Sequence, residues 1–176
     1  YQIAKTSIPT LPSTLLSTKL LVQEAVNVLR EVNNSLYVIL KQMRELAKTM
    51  PEYNLVLSMG GVGESLAPRL IAEIGDPRYF HSAKALNAYA GNDAPPYQSG
   101  NFESHNRHIS KRGNAALRKY CFEVMQALKL IKPQDDPVYL FLLKKEQEGK
   151  HFNVAKMAAV NKFLRIYYAR VMELEQ

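Results

Sequence analysis

A single cysteine, Cys121, stands in the 176-residue chain, so no internal disulfide can form and no thiolate pair is available for a metal or a redox cycle. It lies in an apolar stretch beside Phe122, and its isolation agrees with a reducing, cytoplasmic location. Long apolar runs are also missing. None approaches the roughly 18 residues that a membrane span needs, and the amino terminus lacks the basic-then-apolar layout of a signal peptide. The expectation is a soluble protein without a membrane partner. No stretch alternates with the period of two that marks a strand. A starting methionine is absent as well: the chain opens on Tyr1, which suggests a fragment of something longer.

What is present is ordinary globular composition, 47% hydrophobic and 22% charged, rather than the charge-rich, apolar-poor composition of disorder. The length suits one compact domain, or one such domain with a helical arm. Lys and Arg outnumber Asp and Glu by 23 to 16, a formal charge of +7, which favours anionic partners such as nucleic acid.

The fold class read from these patterns is all-α. Leu15, Val22, Leu29, Leu36, Met43 and Met50 recur every seven residues, with Ala25, Val32, Ile39 and Leu46 at the intervening positions, which is a coiled-coil seam. Ser13 after Pro12 suits the helix start and Pro51 stops it, predicting one helix of about 36 residues and about 54 Å. Residues 1–52 thus form a coiled-coil arm or linker helix. Its apolar stripe either packs on its own domain or joins copies of the chain into a homo-oligomer through Leu15 to Met50. Residues 53–176 form a compact multi-helix domain. Short helices are predicted near Tyr53 to Ser58, Ser65 to Ile74 and Ser82 to Ala90. Gly91 to His108, rich in turn formers, reads as a loop long enough to suspect function. Helices resume over Asn114 to Ile131, Pro137 to Glu148 and Asn153 to Leu174.

Three groups of residues carry candidate chemistry. Leu55, Leu57, Met59, Gly61, Val62, Gly63, Ala67, Leu70 and Ile71 have the spacing of a helix-hairpin-helix, whose glycines permit a tight turn and whose second helix opens with amides that can bind a phosphate. Packing alone is the other use of such a turn. Arg107, Lys111, Arg112, Arg118 and Lys119 put five cations within thirteen residues, with no carboxylate between Ser104 and Tyr120. They can converge on a phosphate or form a solvated basic face. Ser99, in Gln98-Ser99-Gly100, reads locally as a turn residue. His105 and His108 stand three apart, but no cysteine or carboxylate completes a metal set, and His81 and His151 read as helix-boundary residues. No metal or other cofactor is expected on this chain.

Taken together, SMGGVGESLAPRLIAEIGD (Ser58 to Asp76), FHSAKALNAYAG (Phe80 to Gly91), YQSG (Tyr97 to Gly100) and HISKRGNAALR (His108 to Arg118), followed by NVAKMAAVNKFLRIYYA, resemble one family. It is the carboxy-terminal transposase domain of the bridge-RNA-guided, DEDD-type insertion-sequence transposases, the "IS one-ten" group, with its preceding coiled coil. The resemblance covers roughly Tyr53 to Ala169. It implies a serine-dependent DNA recombinase whose RuvC-like amino-terminal domain, lacking here, holds Mg²⁺ on four acidic residues. By position the family's Gln-Ser-Gly serine falls on Ser99, and its basic segment falls on Ser110, Lys111, Arg112 and Gly113. Gly60, Leu66 and Asn92 stand where the family commonly has proline, threonine and leucine.

The reading that follows is the carboxy-terminal part of a transposase that binds DNA, with guide RNA a further partner, and supplies Ser99 as nucleophile. Arg107, Lys111, Arg112, Arg118 and Lys119, with Gly61 and Gly63, would bind phosphates. The isolated chain is expected to be inactive. The rival reading is a non-catalytic helix-hairpin-helix nucleic-acid-binding module in which Ser99 is a turn residue.

Overall fold

A computed structural model describes residues 16–94 and 108–174, together with the backbone of 98–99 and 102–103. Ser13, Leu15, Gly100, Ser104, His105 and Arg107 lie outside the described residues. The chain divides into two compact units, residues 1–42 and 43–176.

Helix α1, Leu16–Lys48, is continuous over 33 residues because neither glycine nor proline interrupts it, and it reaches about 50 Å. It unwinds at Thr49 and Met50, where the Thr49 hydroxyl donates to the Leu46 carbonyl at 2.7 Å, and Pro51 bars its continuation. The seam residues Val22, Leu29, Val32, Leu36 and Ile39 are each 50% to 61% exposed.

The second unit is built from α2 (Tyr53–Leu57), α3 (Leu66–Ile74), a 3₁₀ turn (Pro77–Tyr79), α4 (Ala83–Tyr89), α5 (Ala115–Ile131), α6 (Pro137–Gln147) and α7 (Phe152–Leu174). Among the described residues the fold is all-α apart from one ladder of two residues a side, β1 (Gln98–Ser99) and β2 (Phe102–Glu103), paired antiparallel. Two residues are too few to leave a period in the sequence, which is why no strand is predicted there.

Short-range chemistry sets the helix starts. Asp76 accepts from Arg78 N ahead of Pro77, Ser82 accepts from Ala85 N, Asn114 from Leu117 N, and Asp136 from Val138 N and Tyr139 N ahead of Pro137. Each side chain satisfies an amide that the first helical turn leaves without a partner.

Helix α7 organises the core. Ala155, Ala159, Val160, Phe163, Leu164, Tyr167 and Val171 are buried on it, and it packs on α6, α4 and α5. Helix α5 presents Leu117, Cys121, Val124, Met125 and Leu128 to the same core, the one-sided stripe of an amphipathic helix. Cys121 is fully buried, and burial pushes its thiol well above the ordinary range, so it is a packing residue rather than a nucleophile. Tyr168 ties α7 to the segment before α4 by donating to the Phe80 carbonyl at 2.7 Å.

Gly61 has φ +77°, and a Cβ there would lie 2.7 Å from the Val124 carbonyl and 2.9 Å from Leu128 Cγ. The turn between α2 and α3 therefore lies directly on α5, an approach that only glycine permits. At Gly60 a Cβ would run into the Asp136 carboxylate, the group that caps α6.

Candidate nucleic-acid interface

Residues 91–94 and 108–113 lie in no helix, so their backbone groups need partners outside a helical ladder. They are held by each other. Ser110 N donates to the Asp93 carbonyl at 2.7 Å, Lys111 N to Gly91 at 3.1 Å and Asn114 N to Tyr89 at 2.6 Å. Residues 89–93 and 110–114 thus run side by side in opposite directions.

Side chains lock this root. The Ser110 hydroxyl donates to Asp93 Oδ1 at 2.5 Å. Asn114 uses its whole amide: Oδ1 caps α5, while Nδ2 donates to Glu73 Oε2 at 2.7 Å and to the Tyr89 hydroxyl at 3.1 Å. Arg118 turns Nη1 back to the Ala90 carbonyl at 2.8 Å. Gly91 has φ +65°, and a Cβ there would lie 2.6 Å from Arg118 Nη1 and 2.7 Å from Gly113 N. A Cβ on Gly113 would collide with the Tyr89 carbonyl and the Gly91 amide. Two glycines face each other because the two backbones leave no room between them.

The predicted site residues are distributed around this frame. Lys111 and Arg112 sit exposed on the root, and Lys111 has φ +55°. Arg118 is half-buried beneath it, one guanidinium nitrogen spent on fastening the root. Lys119 is 71% exposed and 3.8 Å from Glu123, a separation at which a surface pair is weak. Ser99 has its backbone in the ladder opposite Phe102, between the two ends that the root joins in sequence.

The glycine turn lies apart from the root. Gly61 meets α5 at Val124 and Leu128, more than a turn beyond Lys119 toward the other end of that helix. Gly63 is exposed, with open space where a Cβ would be. The Leu66 and Ala67 amides are both spent on the Gly63 carbonyl, which leaves the exposed Glu64–Ser65 corner as the accessible part of the turn.

Asp93, Glu73 and Tyr89 were not singled out from sequence. Their partners lie 17, 41 and 25 residues away, and no local pattern announces such pairs. Asn114 did carry a signal, being a cap-forming residue just ahead of an apolar helix. Among the described residues no three His, Cys, Asp or Glu side chains come close enough to hold a metal ion, and Asp93 and Glu73 are already engaged with Ser110 and Asn114. These donors do not fit Mg²⁺. No helix among the described residues is long and apolar enough to cross a membrane.

A family model described as "Transposase IS116/IS110/IS902 family" matches residues 53–140. Among curated proteins, the chain is 30% identical over 149 residues to a pilin gene-inverting protein of Moraxella bovis, covering 82% of this chain and 46% of that protein. Its counterpart in Moraxella lacunata matches to the same extent. A transposase for insertion sequence element IS1111A of Coxiella burnetii is 32% identical over 136 residues, 77% of this chain and 37% of that protein. The chain spans less than half the length of these relatives.

Proposed function

Because the chain belongs to the IS116/IS110/IS902 family of insertion-sequence transposases, we propose that its second unit is the part of the protein that holds DNA at the reacting phosphate and presents Ser99 to it. The hydrogen-bonded loop root carries this reading. It fixes the cationic Lys111 and Arg112 on a rigid frame at one end of the segment containing Ser99, which is how a binding loop is made precise.

In the proposed reaction the Ser99 Oγ forms a bond to phosphorus as the bond from phosphorus to a deoxyribose oxygen breaks. The serine proton passes to a base, and the leaving oxygen takes up a proton. The phosphoserine ester keeps the energy of the phosphodiester for rejoining after strand exchange. Arg107, Lys111 and Arg112 offset the charge that builds on the phosphate oxygens, while Arg118 spends part of its guanidinium on the root. Any Mg²⁺ would be held by carboxylates in another part of the protein, as the family resemblance implies. Of the two turn glycines, Gly63 has the space for a phosphate, and Gly61 serves packing. Guide RNA is the further partner in this reading.

Salt titration tests the phosphate contacts. Each contact contributes about 0.9 to the slope of log K against log salt on duplex DNA. Contacts from Arg107, Lys111 and Arg112 alone give about −2.7, and all five cations give about −4.5. Replacing Lys111 and Arg112 by alanine should flatten the slope by about 1.8 units, read by fluorescence anisotropy. A slope near zero for the unaltered chain would overturn the assignment.

Self-association through the Leu15 to Met50 seam belongs to the same proposal, since so many apolar side chains exposed on one helix favour a partner helix. The chain should sediment above its monomer mass of 20.0 kDa. The double variant Leu29→Glu, Leu36→Glu should sediment at that mass, because two buried charges on one seam cost far more than they return. Equal masses for the two proteins would count against the seam.

A further inference from the structure

The second unit contains a groove that the proposed reaction does not use. One end is a cleft of about 580 Å³ between α4 and α7, lined by Lys84, Asn87, Asn92, Val154, Ala158 and Asn161. The other is a recess along α5 with Phe122 at its floor and Arg118 and Lys119 at its edge. Ile109 and Met157 line both, so the two run together beneath the loop root.

Two features give this groove a chemistry. Asn87 and Asn92 are 4% and 2% exposed. Their amide nitrogens are committed, Asn87 Nδ2 to the Ala83 carbonyl at 2.9 Å and Asn92 Nδ2 to the Met157 carbonyl at 3.2 Å. Both Oδ1 atoms are left as buried acceptors to which no described residue donates, and buried acceptors are rarely left so. The second feature is charge. Lys84, Arg118 and Lys119 line the groove, and Lys156 Nζ lies 4.9 Å from the ring centre of Phe122, a lining residue. The carboxylates facing it are Asp93, bonded to Ser110, and Glu123, 3.8 Å from Lys119.

A ligand matching both features has flat apolar faces, an edge that donates N–H groups, and an anionic backbone. We infer that the groove holds an unpaired nucleic-acid strand, with one amino-bearing base turned into the cleft between α4 and α7. The inference rests on the reading of this chain as a DNA-handling module. Adenine, cytosine and guanine carry exocyclic amines that can donate to the asparagine oxygens. Thymine presents carbonyl oxygens there and a single ring N–H, and is the base the cleft disfavours. Ile109, Val154 and Met157 supply the apolar contact for the base faces, while the bordering cations track the phosphates. The cleft volume falls in the range of small-ligand sites, roughly 300–1,000 Å³, and a paired base could enter it only by leaving its stack.

The test uses the whole 176-residue chain and labelled 12-nucleotide oligothymidines whose central position is adenine, thymine or abasic. The adenine strand should bind about fivefold or more tightly than the other two, the effect of one seated base. Ala158→Phe, which fills the cleft, should bring all three affinities within twofold of one another and leave the salt slope unchanged. Val154→Glu is the second variant, because Val154 is 54% exposed and tolerates substitution without threatening the fold. It should also remove the preference for adenine. Equal affinities for the three strands with a normal salt slope would overturn the groove and leave the DNA reading standing. A preference for adenine that survives both variants would place the base elsewhere and overturn it too. Absence of salt-sensitive binding to any strand would overturn both readings together.

Discussion

Replacing Ser99 by alanine in a protein of the relatives' full length is expected to abolish strand cleavage and the covalent protein–DNA adduct together, by a thousandfold or more, on the order seen when a nucleophile is removed. A serine hydroxyl is a poor nucleophile at neutral pH and works only with a base and a cationic setting for the phosphate. Taking the hydroxyl away leaves that setting in place. Lys111 and Arg112 stay on the root, so affinity and salt slope should match the unaltered protein, and melting should shift little. Ser99→Cys retains at most a trace of adduct, since the larger sulfur requires the phosphate to shift. The measurement is a denaturant-quenched reaction on nicked, end-labelled DNA, resolved for protein-linked strand. Persistent adduct in the alanine variant would move the role elsewhere. Ser110 is poorly placed to take it, because its hydroxyl already donates to Asp93, which leaves Ser104 as the next serine to examine.

The largest effect on stability is expected from Gly113→Ala. The new methyl would overlap the Tyr89 carbonyl and the Gly91 amide and lie 2.6 Å from the Tyr89 carbonyl carbon. All three obstacles are backbone, so no flexible side chain can swing aside. The root must open, giving up the Asn114-to-Tyr89 and Lys111-to-Gly91 hydrogen bonds. Overpacking with two lost bonds costs roughly 3 kcal/mol, or about 6–12 °C in Tm for a chain of this size. Gly63→Ala is the control, because nothing lies within 4 Å of its added methyl; its melting should stay within a degree or two of the parent. Circular dichroism melting compares them, and equal Tm values for the two variants would show that the root is looser than described. A gain in reactivity is not expected from Gly113→Ala, since the frame that places Lys111 and Arg112 would be displaced with it.

Helices with a strong cap and a one-sided apolar stripe were legible from sequence to within a residue or two. The stretch predicted as Asn114 to Ile131 forms Ala115–Ile131, and Pro137 to Glu148 forms Pro137–Gln147, because Asn114, Asp136 and Pro137 act within their own helical turn. The described ends of the long loop, residues 91–94 and 108–110, were legible for the same local reason, a density of turn formers. Their fastening was not. The pairs Asp93 with Ser110 and Glu73 with Asn114 join residues far apart in the chain, and the half-buried Arg118 looks in sequence like any other member of a basic run. At Gly61 the sequence left two uses open, a phosphate-binding turn and packing alone. A glycine in a tight turn suggests backbone amides open to a ligand, whereas its strictest requirement comes from α5, whose Val124 carbonyl leaves no room for a side chain. Space imposed by a distant helix has no local signature.

Lys111 holds the left-handed backbone conformation, at φ +55°, as does Lys132. At Lys132 this is routine, since it ends α5 and many helices close that way. At Lys111 no helix ends, and the conformation costs about 1 kcal/mol that glycine would not incur. Glycine at position 111 would relieve that local strain. It would also take away one of the two exposed cations, Lys111 and Arg112, that the loop root carries. Engineering that removes unfavourable backbone from this domain would reach Lys111 early and would strip the loop root of that charge.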